Sequence, residues 1–167
     1  MNKHVLSVLV KNSSGVLSRV SGLFSRRGYN IDSLTVGRTE EPEISRMTIT
    51  LMGDEDVLEQ VQKQLNKLEE VLTVENLDKN NSVYRELVLI KVKANAENRS
   101  AINETVKIFR SKIVDLSTDT LTIELTGDEN KINALINLME EYGIEELVRT
   151  GVTALERGER TIKNIIK

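Results

Sequence analysis

Apolar and polar positions along this chain follow two alternating periods. Residues 4 to 11 read as a strand, rich in Val and Leu, with an apolar run from Val5 to Val10, and the polar stretch KNSSG leads out of it. Val16, Leu17, Val20, Leu23 and Phe24 then recur at helical spacing, with Gly28 as the stop. Residues 31 to 38 predict a second strand. The turn EEPE holds the only proline, Pro42; after it Met47, Ile49 and Leu51 alternate with polar residues as a third strand. Asp54 stands in an N-cap position before Val57, Leu58, Val61, Leu65 and Leu68, which share one helical face. Val71 to Leu77 is a fourth strand, so the order is βαββαβ.

The polar break DKNNS ends that unit, and the pattern restarts. Leu87 to Val92 predicts a strand, Ile102, Val106 and Phe109 a helix, and Lys112 to Leu116 a short strand. Leu121, Ile123 and Leu125 alternate with polar residues; Ile132, Leu135, Ile136 and Met139 mark another helix, and Glu146 to Val152 a last strand. The third-strand junctions repeat closely, as ITLMGDE at 49–55 and IELTGDE at 123–129, with an Asp placed to cap the helix that follows. The expected fold class is α+β: two tandem ferredoxin-like βαββαβ domains, over 1–78 and 84–167, joined by a linker at 79–83. Units of about 75 residues are small for independent stability, which predicts that they gain burial by pairing. The tail ERGERTIKNIIK is basic and mildly amphipathic, and reads as a frayed end rather than a membrane anchor.

Composition narrows the chemistry. Hydrophobic residues make up 39% and charged residues 29%, enough for a core and a solvated surface, and the net charge of −3 opposes a broad grip on nucleic acid or acidic lipid. No apolar run approaches the roughly 20 residues of a membrane span, and the amino terminus reads as a strand rather than a signal peptide, so a cytoplasmic protein is expected. There is no cysteine and one histidine, His4, which rules out thiolate and multi-histidine metal sites. RNA-recognition folds of this order stack bases on strand aromatics, and strands one and three carry none. An acylphosphatase-like enzyme needs an arginine in the first loop, whereas the first arginine here is Arg19, on the helix. Phosphate-loop and dinucleotide fingerprints are absent. Ser13 and Ser14 have no nearby base, and the pairs Glu40/Glu41 and Glu145/Glu146 look like solvated turns and faces, so no catalytic residue is expected. The stretch NSSG has two readings: a plain connection in which Asn and Ser cap the helix and Gly15 permits the turn, or a loop that holds a ligand at the helix start.

Longer stretches carry a resemblance. LSVLVKNSSGVLSRVSGLFSRRGYNIDSLTVG, then ISRMTI and VLEQVQKQLNKL, with VYRELVLIKV, IFRSKIVDL and RTGVTALERG in the second half, resemble the regulatory (small) subunits of acetolactate synthase, also called acetohydroxyacid synthase. The resemblance covers nearly the whole chain. It implies that the first half is an ACT domain, an amino-acid-sensing module that dimerises side by side. It implies a non-catalytic chain without cofactor of its own. Such a chain activates a large catalytic subunit that uses thiamine diphosphate, Mg and FAD in branched-chain amino-acid biosynthesis, and confers feedback inhibition by valine, in some members by leucine or isoleucine. It also implies an effector site between two ACT domains, formed by Asn12, Ser13, Ser14, Gly15, Val16 and Leu17 of one subunit with Asn30 and Ile31 of its partner. Backbone N–H groups at a helix start suit an α-carboxylate, an asparagine carbonyl the α-ammonium, and Val16, Leu17 and Ile31 a branched side chain. The counterpart of the first loop in the second half, KANAENRS, has no glycine and is not expected to repeat that site.

Overall fold

The computed structural model of the chain describes residues 1–165, which form two compact units. The first comprises Met1–Tyr84 together with the segment from Val152 onward; the second is Arg85–Gly151.

In the first unit the predicted order is realised as β1 (Asn2–Lys11), α1 (Val16–Arg26), β2 (Ile31–Arg38), β3 (Ile44–Gly53), α2 (Glu55–Leu65) and β4 (Val71–Asn76). The strands form an antiparallel sheet in the order β2-β3-β1-β4, with β2 and β4 at its edges. Strand periodicity sorts the side chains. Leu6, Val8 and Val10 of β1 and Met47, Ile49 and Leu51 of β3 meet Val20, Leu23 and Phe24 of α1 and Leu58, Val61 and Leu65 of α2 in one core. Each such side chain, fully buried, contributes about 1.5–3 kcal/mol of transfer free energy.

The other side of the sheet is covered as well. Val5, Ser7, Leu9, Thr48, Thr50, Thr73 and Glu75 are all buried. Val152 and Ala154 pack with Val5 and Leu77, and the Val152 amide donates to Ser33 Oγ at 3.4 Å. A short strand β9 (Thr153–Glu156) pairs with β5 (Ser82–Lys93), and the Arg157 amide donates to the Asn81 carbonyl. Arg160 then reaches Glu75 at 2.5 Å, Ile162 is buried, and Lys163 pairs with Glu40 and Glu41. The linear division at 79–83 placed everything from 84 to 167 in one domain. The structure instead groups the segment from Val152 with the first unit, because an apolar pair and three ion pairs hold it there. For the same reason the tail is not a frayed end over 156–164; Ile166 and Lys167 lie outside the described residues.

This packing perturbs the groups beneath it. Burial, and then the neighbouring Glu156, push the Glu75 carboxyl up, against the pull of Arg160 and Arg46. The Glu40 carboxyl is drawn down, chiefly by its hydrogen bond from Lys163.

The second unit repeats the plan with the main part of β5, then α3 (Arg99–Ile108), β6 (Lys112–Leu116), β7 (Thr120–Gly127), α4 (Glu129–Glu140) and β8 (Ile144–Arg149), in the sheet order β6-β7-β5-β8. Val88, Ile90 and Val92 meet Leu121, Ile123, Leu125, Ile102, Val106, Ile132, Leu135 and Met139 in its core. The last strand expected over 146–152 ends at Arg149, and the chain turns at Gly151 before β9.

The repeated junction has a steric basis. Asp54 accepts from the Val57 amide at 3.0 Å and Asp128 from the Lys131 amide at 2.9 Å, which closes the helix starts as predicted. A Cβ on Gly53 would stand 2.8 Å from Val57 Cγ1 and 2.9 Å from its Cβ, whereas one on Gly127 would meet mainly the mobile end of Lys131, at 2.9 Å from Cδ. Gly53→Ala is therefore expected to cost about 1–3 kcal/mol, since Val57 has no rotamer that removes its own Cβ. Gly127→Ala costs less, because a lysine stem swings aside. Urea unfolding of the two variants checks the difference.

Candidate functional site

The first loop is built by two elements that leave its amides exposed. β1 ends at Lys11, and α1 begins at Val16, with Gly15 as the residue before the first turn. Gly15 has φ +82°, a left-handed conformation that glycine adopts without steric cost. No side chain caps this helix, in contrast to Asp54 on α2 and Asp128 on α4. The expectation that Asn and Ser would cap it is not met: Ser13 and Ser14 are exposed, and the Asn12 side chain is drawn away to donate to the Pro42 carbonyl at 2.9 Å. The Asn12 amide donates to Glu43 O at 2.7 Å and the Ser13 amide to Lys11 O at 2.9 Å. The first intrahelical bond runs from the Arg19 amide to Gly15 O at 3.0 Å, which leaves the amides of Val16, Leu17 and Ser18 at the positive end of the helix without intrahelical partners.

The apolar members of the expected set divide. Leu17 is 45% exposed, while Val16 is 4% exposed and sits in the core. Val16 therefore offers the loop an amide rather than a side chain.

At the other end of α1, Gly28 takes φ +70° as the helix stop, and the Tyr29 amide folds back on the Phe24 carbonyl. Asn30 is exposed and its Nδ2 donates to Asp32 Oδ1 at 3.2 Å; Ile31, half-buried, opens β2. One chain thus brings Asn12, Ser13, Ser14, Gly15, Val16 and Leu17 together but not Asn30 and Ile31. The eleven residues of α1 separate the two groups by about 16 Å.

A further side chain belongs to the first loop. The Arg19 guanidinium lies back over Gly15, with Nη1 3.6 Å from where a Gly15 Cβ would stand, and its Nη2 pairs with Glu70 Oε1 at 2.5 Å. Reading the loop as free of arginine overlooked that helical side chains lean toward the amino end, so a residue four places on returns to the turn. The Gly15–Arg19 spacing was the available signal.

The corresponding loop of the second unit is closed by its own side chains. Asn95 Oδ1 accepts from the Glu97 and Asn98 amides, and Asn98 Oδ1 from the Asn95 amide at 2.8 Å. Arg99 turns away to the carbonyls of Ser117 and Thr118. Elsewhere the candidates for chemistry are structural. His4 is buried, donates to the Gly53 carbonyl at 3.3 Å, and stands about 23 Å from the loop along β1. Among the described residues no group of three or more His, Asp or Glu side chains could hold a metal ion, and no helix is long and apolar enough to cross a membrane.

Known proteins are similar to this chain over both units. A family model described as the AHAS small subunit-like ACT domain matches residues 6–73, and one described as the small subunit of acetolactate synthase matches 85–158. A probable acetolactate synthase small subunit of Archaeoglobus fulgidus is 56% identical over 158 residues, covering 95% of this chain and 99% of that one. The acetolactate synthase small subunit of Mycolicibacterium smegmatis is 53% identical over 159 residues, covering 95% and 94%. The crystal structure of the acetolactate synthase small subunit from Thermotoga maritima superposes with a TM-score of 0.89 at 43% identity, over 96% of this chain and 100% of that one. With both units matched, and relatives more than half identical over nearly the full length, the chain belongs to the acetolactate synthase small subunit family.

Proposed function

We propose that this chain is the non-catalytic regulatory subunit that activates the large catalytic subunit of acetolactate synthase and makes it sensitive to feedback inhibition by valine. In this reading two chains pair through their ACT domains, and each effector lies between the first loop of one chain and the start of β2 of the other. The observation that carries it is the uncapped start of α1: a left-handed Gly15, free amides on Val16 and Leu17, and an exposed apolar Leu17 beside them. These groups match a zwitterion with a branched side chain, and they need no catalytic residue. The separation of Asn30 and Ile31 from that loop within one chain supports the requirement for a second copy, and the edge position of β2 supports side-by-side pairing. The catalytic cofactors, thiamine diphosphate, Mg and FAD, belong in this reading to the large subunit.

Regulation follows if valine binds two arrangements of the dimer with different affinity, since only differential affinity shifts an equilibrium. Calorimetry on the full chain tests the site: valine binds, and Asn30→Ala lowers its affinity about tenfold by removing an exposed partner of the α-ammonium. Folding is unaffected, because Asn30 is exposed and its side-chain hydrogen bond to Asp32 lies at the surface. Unchanged affinity in Asn30→Ala would count against its place in the pocket.

A further inference from the structure

We infer that Arg19 is a ligand of the effector's α-carboxylate and that Glu70 is the positioning residue that holds it there. The inference rests on the reading of the first loop as the effector site and adds two residues to it. One edge of the guanidinium is fixed: Nη2 pairs with Glu70 Oε1 at 2.5 Å, and Glu70 is itself tied to the end of β1, where its carbonyl accepts from the Lys11 amide at 2.8 Å. The other edge is available. Nη1 lies over Gly15, 3.6 Å from where a Cβ would stand, and makes no hydrogen bond or ion pair among the described residues.

Electrostatics makes this placement informative. A cation near the amino end of α1 opposes the partial positive charge of the unpaired amides. Glu70 offsets this on one side only. A carboxylate seated on the Val16 and Leu17 amides would meet Nη1 as well, and the planar guanidinium can serve it and Glu70 together because it carries five donors. There is room for a carboxylate at the Gly15 and Arg19 end of an open groove along α1. A carboxylate is common to valine, leucine and isoleucine, so Arg19 serves the amino-acid end of the ligand, and discrimination among side chains lies elsewhere.

The test compares valine with valinamide, which keeps the ammonium and side chain but lacks the carboxylate, by calorimetry on the full chain. The wild-type chain prefers valine. Arg19→Met lowers valine affinity about tenfold and leaves valinamide affinity unchanged, so the preference shrinks by the same factor; Arg19→Lys keeps part of it. A preference that is unchanged in Arg19→Met, or equal losses for both ligands, overturns the inference. Gly15→Asp, measured alongside, separates the two levels of the argument. If it abolishes valine binding while Arg19→Met retains the full preference, the loop reading stands and the role of Arg19 falls. If it binds valine as the wild type does, both fall.

Discussion

Gly15→Asp removes valine inhibition from the reconstituted enzyme while activation by the chain persists. Two effects act at the same atom. The new Cβ is placed at φ +82°, which costs about 1 kcal/mol relative to glycine, an amount that a folded domain tolerates and that Asp reduces by its own tolerance of the left-handed region. The introduced carboxylate then stands beside the Arg19 guanidinium, whose atoms lie 3.6–3.8 Å from the Cβ position. It occupies the partner meant for the ligand and repels the ligand's own carboxylate. Loss of charged hydrogen bonds on this scale lowers valine affinity about 100-fold. Gly22→Ala is the matched control on the same helix: a Cβ there meets nothing within 4 Å, so valine titrates normally. Inhibition curves for the two variants check the pair, and normal inhibition of Gly15→Asp would remove the loop from the site.

The largest effect on stability is expected in the second unit, from Arg149→Ala. Arg149 donates to Glu86 through Nε at 2.7 Å and Nη2 at 2.8 Å, and to Asn133 Oδ1 through Nη1 at 3.1 Å. The Glu86 side chain is 6% exposed and that of Arg149 32% exposed, so the pair is buried on the carboxylate side and wet on the other. The hydrogen bonds it donates to Glu86 hold the guanidinium pKa up, the sign of a paired charge. Removing the arginine leaves a carboxylate in the interior, joining β5 to nothing across the sheet from β8. Full burial would put the cost at 3–5 kcal/mol, and the exposed side of Arg149 places it near the lower end, about 3 kcal/mol. Replacing both partners by leucine recovers most of that loss, since it removes the stranded charge along with the pair. Denaturant unfolding of the single and double variants measures both; a single-variant cost below about 1 kcal/mol would show that solvent already screens the pair.

Much of the fold was legible because it is local. The apolar periods of 2 and 3.6 located strands β1 to β8 and the four α-helices, with β2 and β6 matching to the residue, but not β9. Asp54 and Asp128 announced their helix starts from position alone. What escaped depends on contacts distant in sequence. The return of Val152, Ala154 and Arg160 to the first unit rests on partners such as Val5, Leu77 and Glu75, and no periodicity in TALERGER encodes them.

The site divides in the same way. A helix start at Gly15 could be read from spacing, but whether Asn12 and Ser13 cap it depends on a competing partner, the Pro42 carbonyl, thirty residues away. The apolar pattern places Val16 on the helix, yet its burial in the core follows only from how α1 lies on the sheet. Arg19 was visible as a residue but not as a neighbour of the loop. The pairing of the first loop with Asn30 and Ile31 of a second chain came from family resemblance, which no spacing within one chain contains.

Reconstitution with the candidate large subunit, measuring acetolactate formed from pyruvate with and without valine, tests the central claim most directly. The expected result is a rise in activity when the chain is added, followed by a fall when valine is added. Activity that the chain does not raise, or that stays insensitive to valine, leucine and isoleucine alike, would contradict it.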